Sequence, residues 1–275
     1  MTGFPEKLTV CTLFSSSKGN CSLFRYGDTA ILVDAGRSAK YIKDSLDLLG
    51  IAPEQINAIL LTHPHSDHTG ALKVWTRRYG TPVHAAGATA EDVEDLCASG
   101  TLRPHPIIFT EDIGDFTISS FVTSHDTRCS VGYRFSLIDG GGEFGIATDL
   151  GCVTDAVRKG LSGCRGVILE SNHDVDMLMC GPYAPEQKRR ILSDRGHLSN
   201  AVCASFAAEL AAAGTEAFVL AHLSPVNNLP EKASSCASDA MRAAGVSPTI
   251  AIASPERPTV LFCGDGVSYG VKSHA

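Results

Sequence analysis

With 275 residues, 44% of them hydrophobic and 19% charged, the chain has ordinary globular composition and enough length for a sizeable core. No apolar run reaches the roughly 18 residues of a transmembrane helix, and Met1–Val10 lacks the basic region and apolar stretch of a secretory signal. The formal net charge of −7 argues against a broad electrostatic grip on nucleic acid but leaves room for a local basic rim, the densest stretch being Lys188, Arg189, Arg190 and Arg195.

Short runs rich in Val, Ile, Leu and Phe predict strands over Leu8–Phe14, Cys21–Tyr26, Ala30–Val33, Ala58–Leu61, Phe116–Val122, Gly132–Ile138, Phe144–Ala147, Val167–Leu169, Ala217–Leu220 and Thr249–Ile252. Ser38 is placed to cap a helix running to Leu49, with Gly50 as its stop. A helix is expected over Ala71–Tyr79. Asp139-Gly140-Gly141-Gly142 reads as a hairpin turn. Ser199 or Asn200 is placed to cap Ala201–Ala213, ended by Gly214. Strands followed by alternating strands and helices predict an α/β chain with mixed sheets covered by helices. No low-complexity linker divides it, so a single domain over 1–275 is expected. The ten cysteines include no Cys-x-x-Cys pair and read as reduced, mostly buried thiols of a cytoplasmic protein.

Five apolar runs end in metal-capable residues, at His63, His125, Asp149, His173 and His222. Buried strands are rigid supports, and the loops leaving them are able to converge on one site. The densest signal is His63-Pro64-His65-Ser66-Asp67-His68. Pro64 biases His63 toward extended geometry, so His63 and His65 share a face. Four ligands within six residues exceed what one tetrahedral ion with an open position needs. Two ions resolve this, one on His63 and His65, the other on Asp67 and His68. His125 completes the first, His222 the second, and Asp149 bridges both. Imidazole with carboxylate suits zinc best, with manganese or iron as alternatives.

The spacing His63-x-His65-x-Asp67-His68 after an apolar strand resembles the signature of the metallo-β-lactamase-fold hydrolases. Ile31-Leu32-Val33-Asp34-Ala35-Gly36 resembles the strand and turn that precede it there. The resemblance covers nearly the whole chain. It implies a four-layer αβ/βα sandwich with a dinuclear site at one edge, and the same seven ligands. Five further segments are similar to the YycJ/WalJ branch. They are Ser15 to Asn20, Glu170 to Asp174, Gly181-Pro182-Tyr183, Gly196 to Asn200 and His222 to Asn228. That branch implies exonuclease-type action on DNA. The long arm of tRNA-processing relatives and the added helical domain of RNA-exonuclease relatives have no counterpart here, which makes those substrates less expected.

His173 and His197 exceed the metal count and are candidate catalytic groups for proton donation or phosphate binding, or else orient ligands. Asp67 is a candidate to orient the attacking water while remaining a ligand. Ser17 and Asn20, in a serine-rich loop with Gly19, and Asn200 are candidate substrate-binding residues. Asp34 reads as a structural acceptor, and His84, His105 and His274 as structural or exposed. The leading expectation is a metal-dependent phosphodiesterase or exonuclease that cleaves single-stranded DNA through a metal-bound hydroxide. The alternatives are a thioesterase or lactonase with the same ligands, a small-molecule phosphodiesterase of the cyclic-nucleotide type, and a metal-binding protein without turnover. No membrane partner is expected.

Overall fold

The computed structural model of the protein describes residues 8–263, so His274 and most of the stretch read for a signal lie outside the described residues. The chain opens with three antiparallel strands, β1 (Thr9–Ser16), β2 (Gly19–Tyr26) and β3 (Thr29–Val33). Helix α1 (Ala39–Asp47), β4 (Ile56–Leu61), the short α2 (Ser66–Thr69), α3 (Leu72–Tyr79), β5 (Val83–Ala86), α4 (Ala88–Asp92) and β6 (Leu102–His105) follow. The second half runs β7 (Thr110–Ile113), β8 (Phe116–Val122), β9 (Val131–Leu137), β10 (Glu143–Ala147), α5 (Asp155–Leu161) and β11 (Gly166–Glu170). It continues with α6 (Val175–Cys180), α7 (Pro185–Ile191), α8 (Asn200–Ala212), β12 (Ala217–Ala221), α9 (Pro230–Ala243), β13 (Thr249–Ile252) and β14 (Thr259–Cys263).

Two sheets form, ordered β14-β1-β2-β3-β4-β5-β6 and β13-β12-β11-β10-β9-β8-β7. One apolar core lies between them, where Phe24 stacks on Phe135 with ring centroids 3.9 Å apart. A second core packs Ile42, Leu46, Leu72 and Trp75 of α1 and α3 on the outer face of the first sheet. A third packs Val157, Phe206 and Met241 of α5, α8 and α9 on the second. The result is an αβ/βα sandwich, in which each apolar face is covered by another layer.

Caps follow local chemistry. Ser38 accepts from the Tyr41 N–H, and Ser199, rather than Asn200, accepts from the Val202 N–H. The glycine turn after Asp139 joins antiparallel β9 and β10. Four strands have no counterpart in the sequence reading: β5, β6, β7 and β14. The Thr-Glu-Asp-Ile run of β7 is largely exposed and has no apolar alternation to detect. Helix α9 also escapes that reading, because the stripe it buries, Ala233, Ala237 and Met241, is mostly alanine.

β3 and β4 are parallel, and β10, β11 and β12 are parallel, so the carboxyl ends within each set share one edge. β8 runs in the same direction as β10, since both are antiparallel to β9. Loops at the carboxyl ends of such strands are where open α/β sheets place ligands.

Candidate metal centre

His63 follows β4 and is fully buried. Its Nε2 lies 3.1 Å from Nδ1 of His65, the pair set side by side by the extended backbone before α2. Helix α2 then carries Asp67 and His68. His125 comes from the loop after β8, Asp149 from the end of β10 and His222 from the end of β12. Ligand atoms of His63, His65 and His125 lie within 4.8 Å of one another, as do those of Asp67, His68 and His222. Asp149 stands between the two groups, with Oδ1 3.6 Å from Nε2 of His125 and Oδ2 3.3 Å from Nε2 of His68. The structure therefore brings all seven predicted ligands together around Asp149, which is also grouped with His63 and His68 and, on the other side, with Glu170, His197 and His222.

The backbone gives up local comfort here. Among the described residues, the non-glycine positions with positive φ are Asp34 (63°), Arg37 (58°), Asp149 (58°) and His222 (57°). Such a conformation costs about 1–2 kcal/mol per residue, and strained backbone clusters at functional sites. Gly36 is required by close approach, because a Cβ there would lie 1.9 Å from the Asp67 carbonyl oxygen.

Behind the ligands sits a layer of orienting groups. Oδ2 of Asp34 lies 2.7 Å from Nδ1 of His68, and Asp34 also accepts from the N–H and hydroxyl of Thr62. The Gly196 carbonyl lies 3.2 Å from Nδ1 of His125. Fixing one ring nitrogen in this way aims the other at a metal. Glu170, the last residue of β11, was missed by sequence reading, which took His173 as the metal-capable end of that run. Glu170 is fully buried, and its Oε1 lies 2.8 Å from Nδ1 of both His197 and His222. Its Oε2 accepts the backbone N–H of Leu150 and Leu198. The available signal was a carboxylate closing a wholly buried apolar strand. Asp126 is also close, 3.3 Å from Nε2 of His125.

The remaining predicted residues divide. His197 stands beside the cluster, 3.8 Å from Asp149. His173 belongs to none of the ligand groups found among the described residues, and both its ring nitrogens are buried without a partner. Ser17 is exposed in the turn between β1 and β2. Asn20 is turned inward: its amide donates to the Ser16 carbonyl and Oδ2 of Asp67, and lies 3.1 Å from Nε2 of His68. Its Oδ1 accepts from the Ser15 hydroxyl, which itself accepts the His222 N–H. Asn20 thus positions Asp67 and His68 instead of presenting its amide to substrate. Asn200 likewise is bonded to Ser171 and Asn228.

Burial opposes charge on Asp149, yet the His222, His68, His63 and His125 imidazoles outweigh it and hold its carboxyl well below the usual range. Burial also opposes charge on Glu170, but His197 and His222 bring it down to about 2. Conversely, burial disfavours the His222 cation, while Asp149, Asp67 and Glu170 raise it to about 10. His197 is raised as well, burial being outweighed by Glu170 and Asp149. Buried carboxylates therefore demand positive charge at this edge. Buried Oδ2 of Asp149 and Nε2 of His222 have no hydrogen-bond partner, which is unusual for buried polar atoms. Divalent cations fit this donor set, satisfying both the charge and the orphaned atoms.

Beside the centre, Arg190 of α7 pairs with Asp126 and Arg195 donates to the carbonyls of His125 and Thr127; further along the same helix Arg189 pairs with Glu186 and Lys188 donates to the Met179 carbonyl.

Comparison with known proteins places this geometry. The profile of the Metallo-beta-lactamase superfamily matches residues 17–176. The chain is 38% identical over 226 residues to "Exodeoxyribonuclease WalJ" of Streptococcus pneumoniae serotype 2, covering 80% of this chain and 83% of that one. It is 35% identical over 224 residues to "Exodeoxyribonuclease YycJ" of Bacillus anthracis, covering 80% and 84%. In fold it is similar to the metallo-beta-lactamase fold protein YhfI of Bacillus subtilis, with TM-score 0.68, 19% identity, and coverage of 92% and 99%.

Proposed function

The chain belongs to the metallo-beta-lactamase superfamily, and we propose that its histidine and carboxylate cluster hydrolyses phosphodiester bonds, as an exonuclease acting on single-stranded DNA. The observation that carries this reading is the His197–Glu170 pair beside the ligand groups. A departing sugar oxygen needs a proton. His197 is held by Glu170 at Nδ1, which leaves Nε2 for the substrate, and Glu170 and Asp149 raise its pKa against burial, which favours the proton-bearing ring. The names of the two relatives add DNA as substrate. Arg190 and Arg195, beside Asp126 and His125, are cations able to meet a phosphate backbone despite the net negative charge.

Two divalent ions, zinc by donor type, would be held by His63, His65 and His125 on one side and Asp67, His68 and His222 on the other, bridged by Asp149. Such ions supply an activated water near neutral pH and neutralise phosphoryl charge. Asp67 orients the attacking water from the second group. Asp149→Asn keeps the side-chain shape, and Asn tolerates the left-handed backbone at this position. Elemental analysis should find at least one ion lost, with activity falling sharply; unchanged metal content would mean that another carboxylate bridges.

No helix among the described residues is long and apolar enough to cross a membrane. Cys129, Cys164 and Cys203 are buried and unbridged, which suits a cytoplasmic setting.

The direct test is metal-replete protein with end-labelled single-stranded DNA, bis-p-nitrophenyl phosphate and a glutathione thioester in parallel. Digestion of the DNA, abolished by chelator, is the expected result. Strong thioester cleavage without phosphodiester cleavage would move the assignment to carbonyl chemistry on the same ligands.

A further inference from the structure

The densest basic stretch of the sequence, Lys188, Arg189, Arg190 and Arg195, is divided by the fold into different kinds of work. Lys188 is bonded to the Met179 carbonyl and Arg189 to Glu186, both along the helices. Arg195 spends Nε on the His125 carbonyl and one terminal nitrogen on the Thr127 carbonyl, so it pins the loop after β8. Arg190 is used differently. Its side chain is 59% exposed, and among the described residues its guanidinium meets only Asp126, through Nε. Its two terminal nitrogens remain free to donate.

Asp126 fixes where that guanidinium stands. Its Oδ2 accepts from Arg190, while its Oδ1 lies 3.3 Å from Nε2 of His125 and 3.8 Å from Nε2 of His65. Oδ1 is buried and makes no hydrogen bond, which is unusual for a buried carboxylate oxygen. One carboxylate therefore spans the gap between an exposed cation and two of the candidate metal ligands. The same segment is fastened to the centre by its backbone. The Ile191 carbonyl accepts the His197 N–H, the Gly196 carbonyl lies 3.2 Å from Nδ1 of His125, and the Asp194 carbonyl accepts from the Ser124 hydroxyl. The end of α7 thus carries Arg190 and holds His197. The His125 ring borders both, with its centroid 5.2 Å from that of His197.

The carboxylate of Asp126 is interposed between the guanidinium and the ligand atoms, so a phosphate seated on the ligands meets the histidines before it meets Arg190. A DNA strand brings further phosphates. A guanidinium with free terminal nitrogens binds phosphate oxygens through charge-assisted, often paired hydrogen bonds. We propose that Arg190 holds the phosphate next to the one being cleaved, and so selects a polynucleotide strand over a small isolated diester. Asp126 is the positioning residue that aims it. This role rests on the nuclease reading and extends it from one phosphate to two.

The test uses metal-replete full-length protein, as wild type, Arg190→Gln and Arg190→Lys. The substrates are a single-stranded oligonucleotide with hydroxyl termini, the same strand with one uncharged methylphosphonate at the second linkage from either end, and bis-p-nitrophenyl phosphate. Elemental analysis and Tm serve as controls for the centre and the fold. Arg190→Gln should raise KM on the unmodified strand by about tenfold or more, the value of a charged hydrogen bond. The slope of log kcat/KM against log salt should shrink by about 0.7, as for one lost contact to a single strand. Arg190→Lys keeps the charge without the paired geometry and should recover part of the loss. For wild-type protein the methylphosphonate at one of the two ends should cost a similar factor, and combining it with Arg190→Gln should add little. On bis-p-nitrophenyl phosphate, which has a single phosphate, the variant should lose much less than on DNA. Equal losses on both substrates, or loss of metal from Arg190→Gln, would show that Arg190 acts on the centre through Asp126 and would overturn the strand-binding role. A methylphosphonate penalty that simply adds to that of the substitution would overturn it too. Wild-type protein that digests no DNA fails the nuclease reading itself, and this role with it. Digestion of DNA with an unchanged KM in Arg190→Gln fails the strand-binding role alone.

Discussion

His197 and His222 are held by a single oxygen: Nδ1 of each ring lies 2.8 Å from Oε1 of Glu170. His222 also belongs with Asp67 and His68, whereas His197 joins the cluster only through Asp149, Glu170 and His222. The shared carboxylate therefore links a ligand's orientation to the charge state of the proposed acid. Its buried position makes that link strong, because charge interactions are little screened there.

Replacing Glu170 with Gln should disturb both partners at once. The neutral amide no longer favours the protonated His197, and it holds the His222 ring less firmly. Turnover on DNA is expected to fall by about 10²–10⁴-fold, the range typical of lost acid–base assistance. Affinity for the ion at the Asp67, His68 and His222 group should fall by about 10–100-fold, as when a residue supporting a ligand is lost. Metal-buffered titration with elemental analysis reads the second effect. Full occupancy together with full rate would show that Glu170 serves only the fold.

His197→Ala separates acid catalysis from metal binding. The cluster has its ligands without His197, so both ions should remain while the rate on DNA falls by about 10²–10⁴-fold. A p-nitrophenyl leaving group needs little protonation, so most of the deficit should vanish with bis-p-nitrophenyl phosphate. Poor rescue with a raised KM would instead assign His197 to phosphate binding. Loss of metal would make it a structural residue.

Asn20 offers a test at the opposite side of the cluster. Its amide holds Asp67 and His68, and through Ser15 it is tied to the backbone of His222, so all three members of one group depend on this turn. Asn20→Ala should weaken that ion by about 10–100-fold and leave the ion on His63, His65 and His125 in place. Stepwise metal removal by a chelator would show one ion leaving earlier than in the wild type. Simultaneous loss of both ions, or no change, would contradict a positioning role for Asn20.

Away from the centre, His84 and His105 stack with Nδ1 and Nε2 2.9 Å apart. Burial, with the His105 and Arg103 charges adding to it, lowers the His84 pKa from 6.5 to about 4. The folded state therefore binds fewer protons here than the unfolded chain. The contribution of this neutral ring is complete above pH 6.5 and is lost as pH falls toward 4. His84→Gln should flatten that part of the acid limb, a difference of at most about 3 kcal/mol, read as a smaller drop in Tm between pH 7 and pH 5. An unchanged slope would place the acid sensitivity elsewhere.

The candidate ligands are legible in sequence because their chemistry is local. His63, His65, Asp67 and His68 lie within one turn of chain, and Asp149 and His222 each end an apolar strand. The alternation of an extended segment was enough to place His63 beside His65. What joins these runs is not local. The gathering of the β8, β10, β11 and β12 ends at one edge depends on strand order and direction, which no single segment encodes. Glu170 illustrates the limit. In sequence it is one acidic residue before a more conspicuous histidine, and only packing shows that its carboxylate faces His197 and His222 while His173 joins none of the ligand groups among the described residues. In sequence Asn20 is a substrate-binding candidate because it lies in a hydroxyl-rich loop with Gly19 suited to holding phosphate. In the folded chain its amide is bonded inward, because the turn between β1 and β2 closes over helix α2. Residue type sets which bonds a side chain can make, and the tertiary structure decides which partners come within reach.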